Sequence, residues 1–188
     1  GDGSLQSINT RTDEAAAVIA NPAGLRGGCA SSYGIAVDGK GRIWMNGWGC
    51  PDAIAYDPTD QTWCRMNLSQ IIAVDGVPDS IGRGITADQN GRMFAAVGGN
   101  EQSHVVWWNV NDCRPGLSSI VRARNLIRGP ANTNGPSAIG ADASGKIWLA
   151  HYLSPKIMRI DPANNMDTRS WDGTNQVYSY SDFTGVLR

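Results

Sequence analysis

Charge is scarce in this sequence. Asp, Glu, Lys and Arg make up 18% of the 188 residues, 17 acidic against 16 basic, so neither a self-repelling disordered chain nor a polyanion-binding surface is expected. Nucleic acid is excluded as a partner on the same ground. No apolar run approaches the roughly 20 residues that span a bilayer as a helix. The opening Gly1-Asp2-Gly3-Ser4 has neither the charged start nor the apolar middle of a secretion signal. No methionine precedes it, and the expectation is that a leader or longer upstream segment did. Only two histidines accompany the four cysteines, none in a CxxC pair, so zinc spacing is missing. Phenylalanine and glutamate are nearly absent, at two each.

What is abundant is glycine (23), tryptophan (7) and proline (9). That balance suits many short strands joined by tight turns, an all-β composition. The length allows one domain. Cys29, Cys50, Cys64 and Cys113 are even in number, which favours two disulfides and an exported protein over four buried thiols in the cytosol.

An internal repeat sets the architecture. Tyr33-Gly34-Ile35-Ala36-Val37-Asp38-Gly39-Lys40-Gly41-Arg42-Ile43-Trp44-Met45 recurs from Arg83 to Ala95 and again from Ser137 to Leu149. The aspartates Asp38, Asp88 and Asp142 are 50 and 54 residues apart. Each copy predicts a hairpin: an apolar strand, an Asp-x-x-Gly-Arg/Lys turn, and a second strand carrying Trp44, Phe94 or Trp148. The carboxylate is expected to accept turn N–H groups while glycine supplies a positive φ. A calcium loop would need a denser set of oxygen ligands.

Third strands are expected at Ala53 to Thr59, Val105 to Asn111 and Lys156 to Ala163, and fourth strands around Gln61 to Met66, Ser118 to Ala123 and Met166 to Trp171. Four antiparallel strands about every 50 residues describe a β-propeller blade. The domain reading is a single propeller over 1–188, with a partial blade in 1–25, blades at about 30–75, 80–128 and 134–173, and the first strand of a further blade in 178–188. Ser4 to Thr12 matches a third strand, and Phe183 to Arg188 a first strand. An arc of this kind leaves apolar faces and strand edges in water. The expected partners are therefore remaining blades on another chain or a second copy of this one, with self-closure of a four-bladed ring as the alternative.

The wording of the blades, "GIAVDGKGRIWM" followed by "AIAYDPTDQTW", resembles exported bacterial propellers of the streptogramin B lyase-like and NHL-like repeat type. The resemblance covers most of the chain and implies a fold that hosts lyases, hydrolases and plain binding modules. In a propeller the loops between second and third strands open on the face where ligands bind. Here those loops hold Trp48, Asn100, Glu101, His104, His151 and Tyr152. A lyase of the resembled type uses histidine and glutamate around magnesium to open a cyclic ester, which makes His104, His151 and Glu101 the catalytic candidates. Trp48, Asn100 and Tyr152 are the ligand-binding candidates.

No matching pair of histidine motifs appears in adjacent blades. The expectation is therefore a secreted, periplasmic or cell-surface binding or scaffold module without a cofactor. The alternatives are a lyase or hydrolase using magnesium or calcium, and a self-assembling protein with interlocking blades. Strand order also predicts the cysteine pairing. Cys29 and Cys50 flank one hairpin on one face of the disc, and Cys64 and Cys113 meet near the opposite face at the perimeter.

Overall fold

The computed structural model describes residues 4–22, 32–47, 52–68, 71, 83–98, 103–130, 133, 135–151 and 154–173. Cys29, Cys50 and the segment 178–188 lie outside the described residues. So does the Cys29–Cys50 pairing. No helix among the described residues is long and apolar enough to cross a membrane.

Three antiparallel sheets follow one another along the chain. Blade one contains β3 (Ser32–Val37), β4 (Ile43–Gly47), β5 (Asp52–Asp57) and β6 (Thr62–Asn67). Blade two contains β7 (Ile85–Ala87), β8 (Arg92–Val97), β9 (His104–Asn109) and β11 (Leu126–Arg128). Blade three contains β12 (Pro136–Ala141), β13 (Ile147–His151), β14 (Lys156–Asp161) and β15 (Asp167–Asp172). Ahead of them a short hairpin, β1 (Ile8–Asn9) and β2 (Glu14–Ala15), is extended by a bridge between Leu5 and Ile19. Its Leu5 and Ile19 pack on Met45, Ile54, Tyr56 and Trp63 of blade one, where the outer strands of a preceding blade would sit. Together these sheets are the arc of a β-propeller.

The three hairpin turns share one hydrogen-bond scheme. Asp38 Oδ1 accepts from the Lys40 and Arg42 N–H groups at 2.8 and 3.2 Å, and its Oδ2 accepts from Arg42 Nε and the Trp44 indole, both at 2.8 Å. Asp88 accepts from the Asn90 and Arg92 N–H groups and from Arg92 Nε at 2.6 Å. Asp142 accepts from the Ser144 and Lys146 N–H groups and from the Trp148 indole at 2.7 Å. The glycines Gly41, Gly91 and Gly145 take φ of 81°, 75° and 76°, a left-handed conformation that a β-carbon disfavours. The aromatic at the repeated strand position therefore does two jobs in copies one and three, filling the sheet face and holding the turn carboxylate.

The same turns staple neighbouring blades. Arg42 Nη2 donates to the Val110 carbonyl of blade two at 2.9 Å, and Arg92 Nη1 donates to the Pro162 carbonyl of blade three at 3.1 Å. A guanidinium can hold its own carboxylate and reach a second acceptor at once. Copy three has Lys146 instead, a single point charge, and it turns to Asp161 of its own blade at 2.6 Å.

Between blades one and two the core gathers Trp44, Met66, Met93, Val106 and Trp108, with the Trp44 and Trp108 rings 5.6 Å apart. Phe94 joins Ile139, Leu149 and Ile160 between blades two and three. Of the adjacent Trp107 and Trp108, Trp108 is buried and Trp107 only partly so, as strand alternation requires. Trp44 and Phe94 are fully buried, and Trp148 at the same place in the third repeat is only partly so. It faces the far side of blade three and stacks on Trp171 at 5.8 Å. Nearest the axis, a Cβ on Gly34 would lie 2.5 Å from the Arg83 carbonyl oxygen, so the innermost strands of blades one and two approach backbone to backbone.

One strand departs from the sequence expectation. Ser118 to Ala123 does not form the fourth strand of blade two. Instead β10 (Ser118–Ile120) crosses to blade one and pairs in parallel with β6, Ser118 opposite Arg65 and Ile120 opposite Asn67. Blade two receives its fourth strand a few residues later, as β11 on β9. The physical cause lies just upstream. Cys113 is bonded to Cys64 of β6 with Cα atoms 5.7 Å apart, as strand order predicts, and this anchors the following segment beside blade one. Gly116 N–H then donates to the Trp63 carbonyl at 2.7 Å, and Arg65 N–H to the Leu117 carbonyl at 3.1 Å.

Candidate functional site

The second-to-third-strand loops project from one edge of each sheet. Asp52, His104 and Lys156 open the third strands of the three blades, and His151 ends the second strand of blade three. Asp52, Lys156 and His151 each find a partner within their own blade. Asp52 pairs with Arg65 Nη2 on the adjacent β6 at 2.6 Å, and its carboxylate is fully buried. Burial pushes the Asp52 carboxyl above its ordinary value, and the bond and charge of Arg65 only partly offset it. Lys156 meets Asp172 of β15 at 3.1 Å, near solvent.

His151 is 0% exposed. Its Nδ1 lies 2.8 Å from the Lys156 carbonyl oxygen. Since a carbonyl only accepts, Nδ1 carries the proton. Burial holds the ring's pKa below the usual imidazole value, against the carbonyl that favours the cation and with the Lys156 charge that opposes it. The neutral ring therefore serves as a strand-end bracket across the β13–β14 loop. His104 is also buried, at the β8–β9 end of blade two opposite Val97.

Glu101, Trp48, Asn100 and Tyr152 lie outside the described residues. Among the described residues no three His, Cys, Asp or Glu side chains converge on one point.

The feature that sequence reasoning missed is on the perimeter. Arg114, Arg122 and Arg124 line a cleft formed under the segment that crosses between blades one and two. Its signal was present in "CRPGLSSIVRAR", where three arginines stand on the segment that lengthens the second repeat.

With the geometry in view, comparison with known proteins confirms the fold. No family model matches the sequence, and no curated protein sequence matches it significantly. Solved structures do. A catalytically inactive virginiamycin B lyase from Staphylococcus aureus, bound to quinupristin, superposes with a TM-score of 0.60 at 13% identity, covering 93% of this chain and 50% of that one. The Cps50 (Swd1) β-propeller domain of Myceliophteria thermophila gives 0.58 at 13% identity, covering 94% and 50%. The extracellular domain of a putative one-component system from B. thetaiotaomicron gives 0.59 at 9% identity, covering 92% and 20%. The protein is a β-propeller arc of the kind seen in these structures. It spans half or less of each one's length, and at these identities the likeness is one of fold.

Proposed function

We propose that this chain is a binding or scaffold module, exported from the cell, rather than a lyase. The observation that carries this reading is the state of the loop-bearing edge: Asp52 is tied to Arg65, Lys156 to Asp172 and His151 to the Lys156 carbonyl. These groups brace the blades from which the loops project, and a rigid frame presenting loops is what recognition needs. Export is supported by the Cys64–Cys113 disulfide, a bond that persists in oxidising compartments. No resident cofactor belongs to this reading.

The competing reading is a magnesium-assisted lyase built on His104, His151 and Glu101. It draws on the fold shared with virginiamycin B lyase. Incubation of the protein with quinupristin and magnesium separates the two. The binding reading expects the cyclic ester to stay closed by mass spectrometry over a long incubation; ring opening that His151→Ala abolishes in a variant that still folds would overturn it.

A second proposal concerns the ends of the arc. On blade one Ile35 and Val37 are 50% and 61% exposed on the innermost strand, and on blade three Trp171 is 45% exposed. Apolar residues on both outer faces support further blades packing there, carried by more of the same polypeptide or by a second copy of this chain. Sedimentation of the chain on its own is expected to show self-association that Ile35→Ser with Val37→Ser removes. A monodisperse 20.1 kDa particle whose mass and stability ignore those substitutions would count against it.

A further inference from the structure

We propose that the perimeter cleft between blades one and two binds a small organic molecule carrying at least two oxyanion groups, carboxylate or phosphate. Its volume is about 480 Å³, within the roughly 300–1,000 Å³ typical of small-ligand sites. The polar lining is almost entirely donor. Arg114, Arg122 and Arg124 reach the cleft, and none of their guanidinium groups has an ion pair or hydrogen-bond partner among the described residues. The one carboxylate in the wall, Asp112, is committed to capping, with Oδ2 accepting the Asn109 N–H at 3.3 Å.

In the blade cores the chain places arginines against carboxylates, as Arg42 on Asp38, Arg65 on Asp52 and Arg92 on Asp88. At the cleft, by contrast, no carboxylate is paired with any of the three guanidinium groups among the described residues. Guanidinium is also the group that recognises planar oxyanions in bidentate fashion. The hydroxyls of Ser118 and Ser119 line the same space and can donate as well. Trp108 forms part of the inner wall, and its buried indole N–H has no acceptor among the described residues.

The backbone that carries these groups is fixed before any ligand arrives. The disulfide holds Cys113 to blade one, β10 is paired with β6, and Val121 N–H donates to the Asn67 carbonyl at 2.9 Å. On the other side Asn125 Nδ2 donates to the Trp107 carbonyl of blade two at 2.8 Å. A site anchored on both blades spends little entropy in closing on its ligand. The near-zero net charge of the whole chain conceals this local excess of positive charge.

The assignment rests on the binding-module reading and locates its site away from the axial face. Isothermal titration at low salt with citrate, inorganic pyrophosphate and acetate tests it. Citrate, pyrophosphate or both should bind, acetate should not, and added sodium chloride should weaken binding. Arg122→Ala with Arg124→Ala, both at exposed positions, should weaken it by at least about tenfold, the loss of one charge-assisted contact or more. Arg169→Ala on exposed β15 should change nothing. Binding of citrate alone identifies carboxylate chemistry and of pyrophosphate alone phosphate chemistry, and either supports the site. Failure of both to bind, or binding undiminished in the double variant, overturns it. That failure leaves the binding-module reading standing, since only quinupristin ring opening removes the latter.

Discussion

Replacing Cys64 and Cys113 together with serine is expected to lower the melting temperature by roughly 8–16 °C. The bond closes a loop with a sequence separation of 49 residues, and in the chain-entropy model such a loop removes about 4 kcal/mol of unfolded-state freedom. For a chain of this size each kcal/mol shifts the midpoint by about 2–4 °C. Both cysteines are buried in the core between blades one and two, so serine at either position also places a hydroxyl there. Differential scanning calorimetry of the double variant measures the effect. A shift under about 2 °C would mean that the pairing of β10 with β6 holds the crossing segment without the covalent bond.

The second large effect is expected at Asp38. Its carboxylate is fully buried, as is nearly all of Arg42, and it accepts four hydrogen bonds, one from the Trp44 indole in the core. Asp38→Ala leaves a buried guanidinium without its counter-ion and an indole N–H without an acceptor, at a cost of about 3–5 kcal/mol. Asp142→Ala should cost only about 1 kcal/mol, because the turn is near the surface and Lys146 keeps Asp161 as a partner. Chemical denaturation of the two variants should rank them in that order, and equal losses would show that the turns carry equal weight.

Acid should act through the same groups. Burial pushes the Asp142 carboxyl up, but the Trp148 indole, the Ser144 hydroxyl and the N–H groups of Lys146 and Ser144 outweigh it and hold the pKa at about 2, against 3.8 ordinarily. A carboxyl lowered on folding stabilises the fold fully above its ordinary value, and that contribution is lost as the pH falls through the folded one. The stability gap between the protein and Asp142→Asn should therefore close between about pH 4 and pH 2. Asp38 is shifted in the same direction: burial raises it, and the Trp44 indole, two backbone N–H groups and the Arg42 charge prevail.

The blades were legible because they repeat. Asp38, Asp88 and Asp142 with their glycines mark turns whose chemistry is local, and local chemistry can be read along a line. The Cys64–Cys113 bond was legible for a different reason, since strand order alone brings those positions to one side of the disc. The indole bonds to Asp38 and Asp142 were missed although tryptophan stands six residues after the aspartate in both copies, because the twist that brings the ring back over the turn is not in the spacing. The destination of Ser118 to Ile120 was also hidden. Its pattern reads equally as a strand on either blade, and only the anchoring of Cys113 decides between them. The arginine cluster escaped because a balanced total charge says nothing about where the charges lie, and the crossing brings Arg114, Arg122 and Arg124 to one cleft. At the loop-bearing edge the sequence located the histidines but could not show that His151 would turn its proton to the Lys156 carbonyl.

The crossing of β10 has a consequence for the order in which the molecule is made. A chain emerging from the ribosome can zip β3, β4, β5 and β6 together as soon as Asn67 is out, yet the rim of that sheet and the sulfur of Cys64 then wait for partners encoded within the next repeat. Neither is supplied until Cys113 and Ile120 have appeared, by which time β7, β8 and β9 of blade two are also available. The first two blades are thus laced into one unit only when both repeats are present, and the Cys64–Cys113 bond, which forms when an external two-electron oxidant takes up the hydrogens of both thiols, is the knot that is tied last.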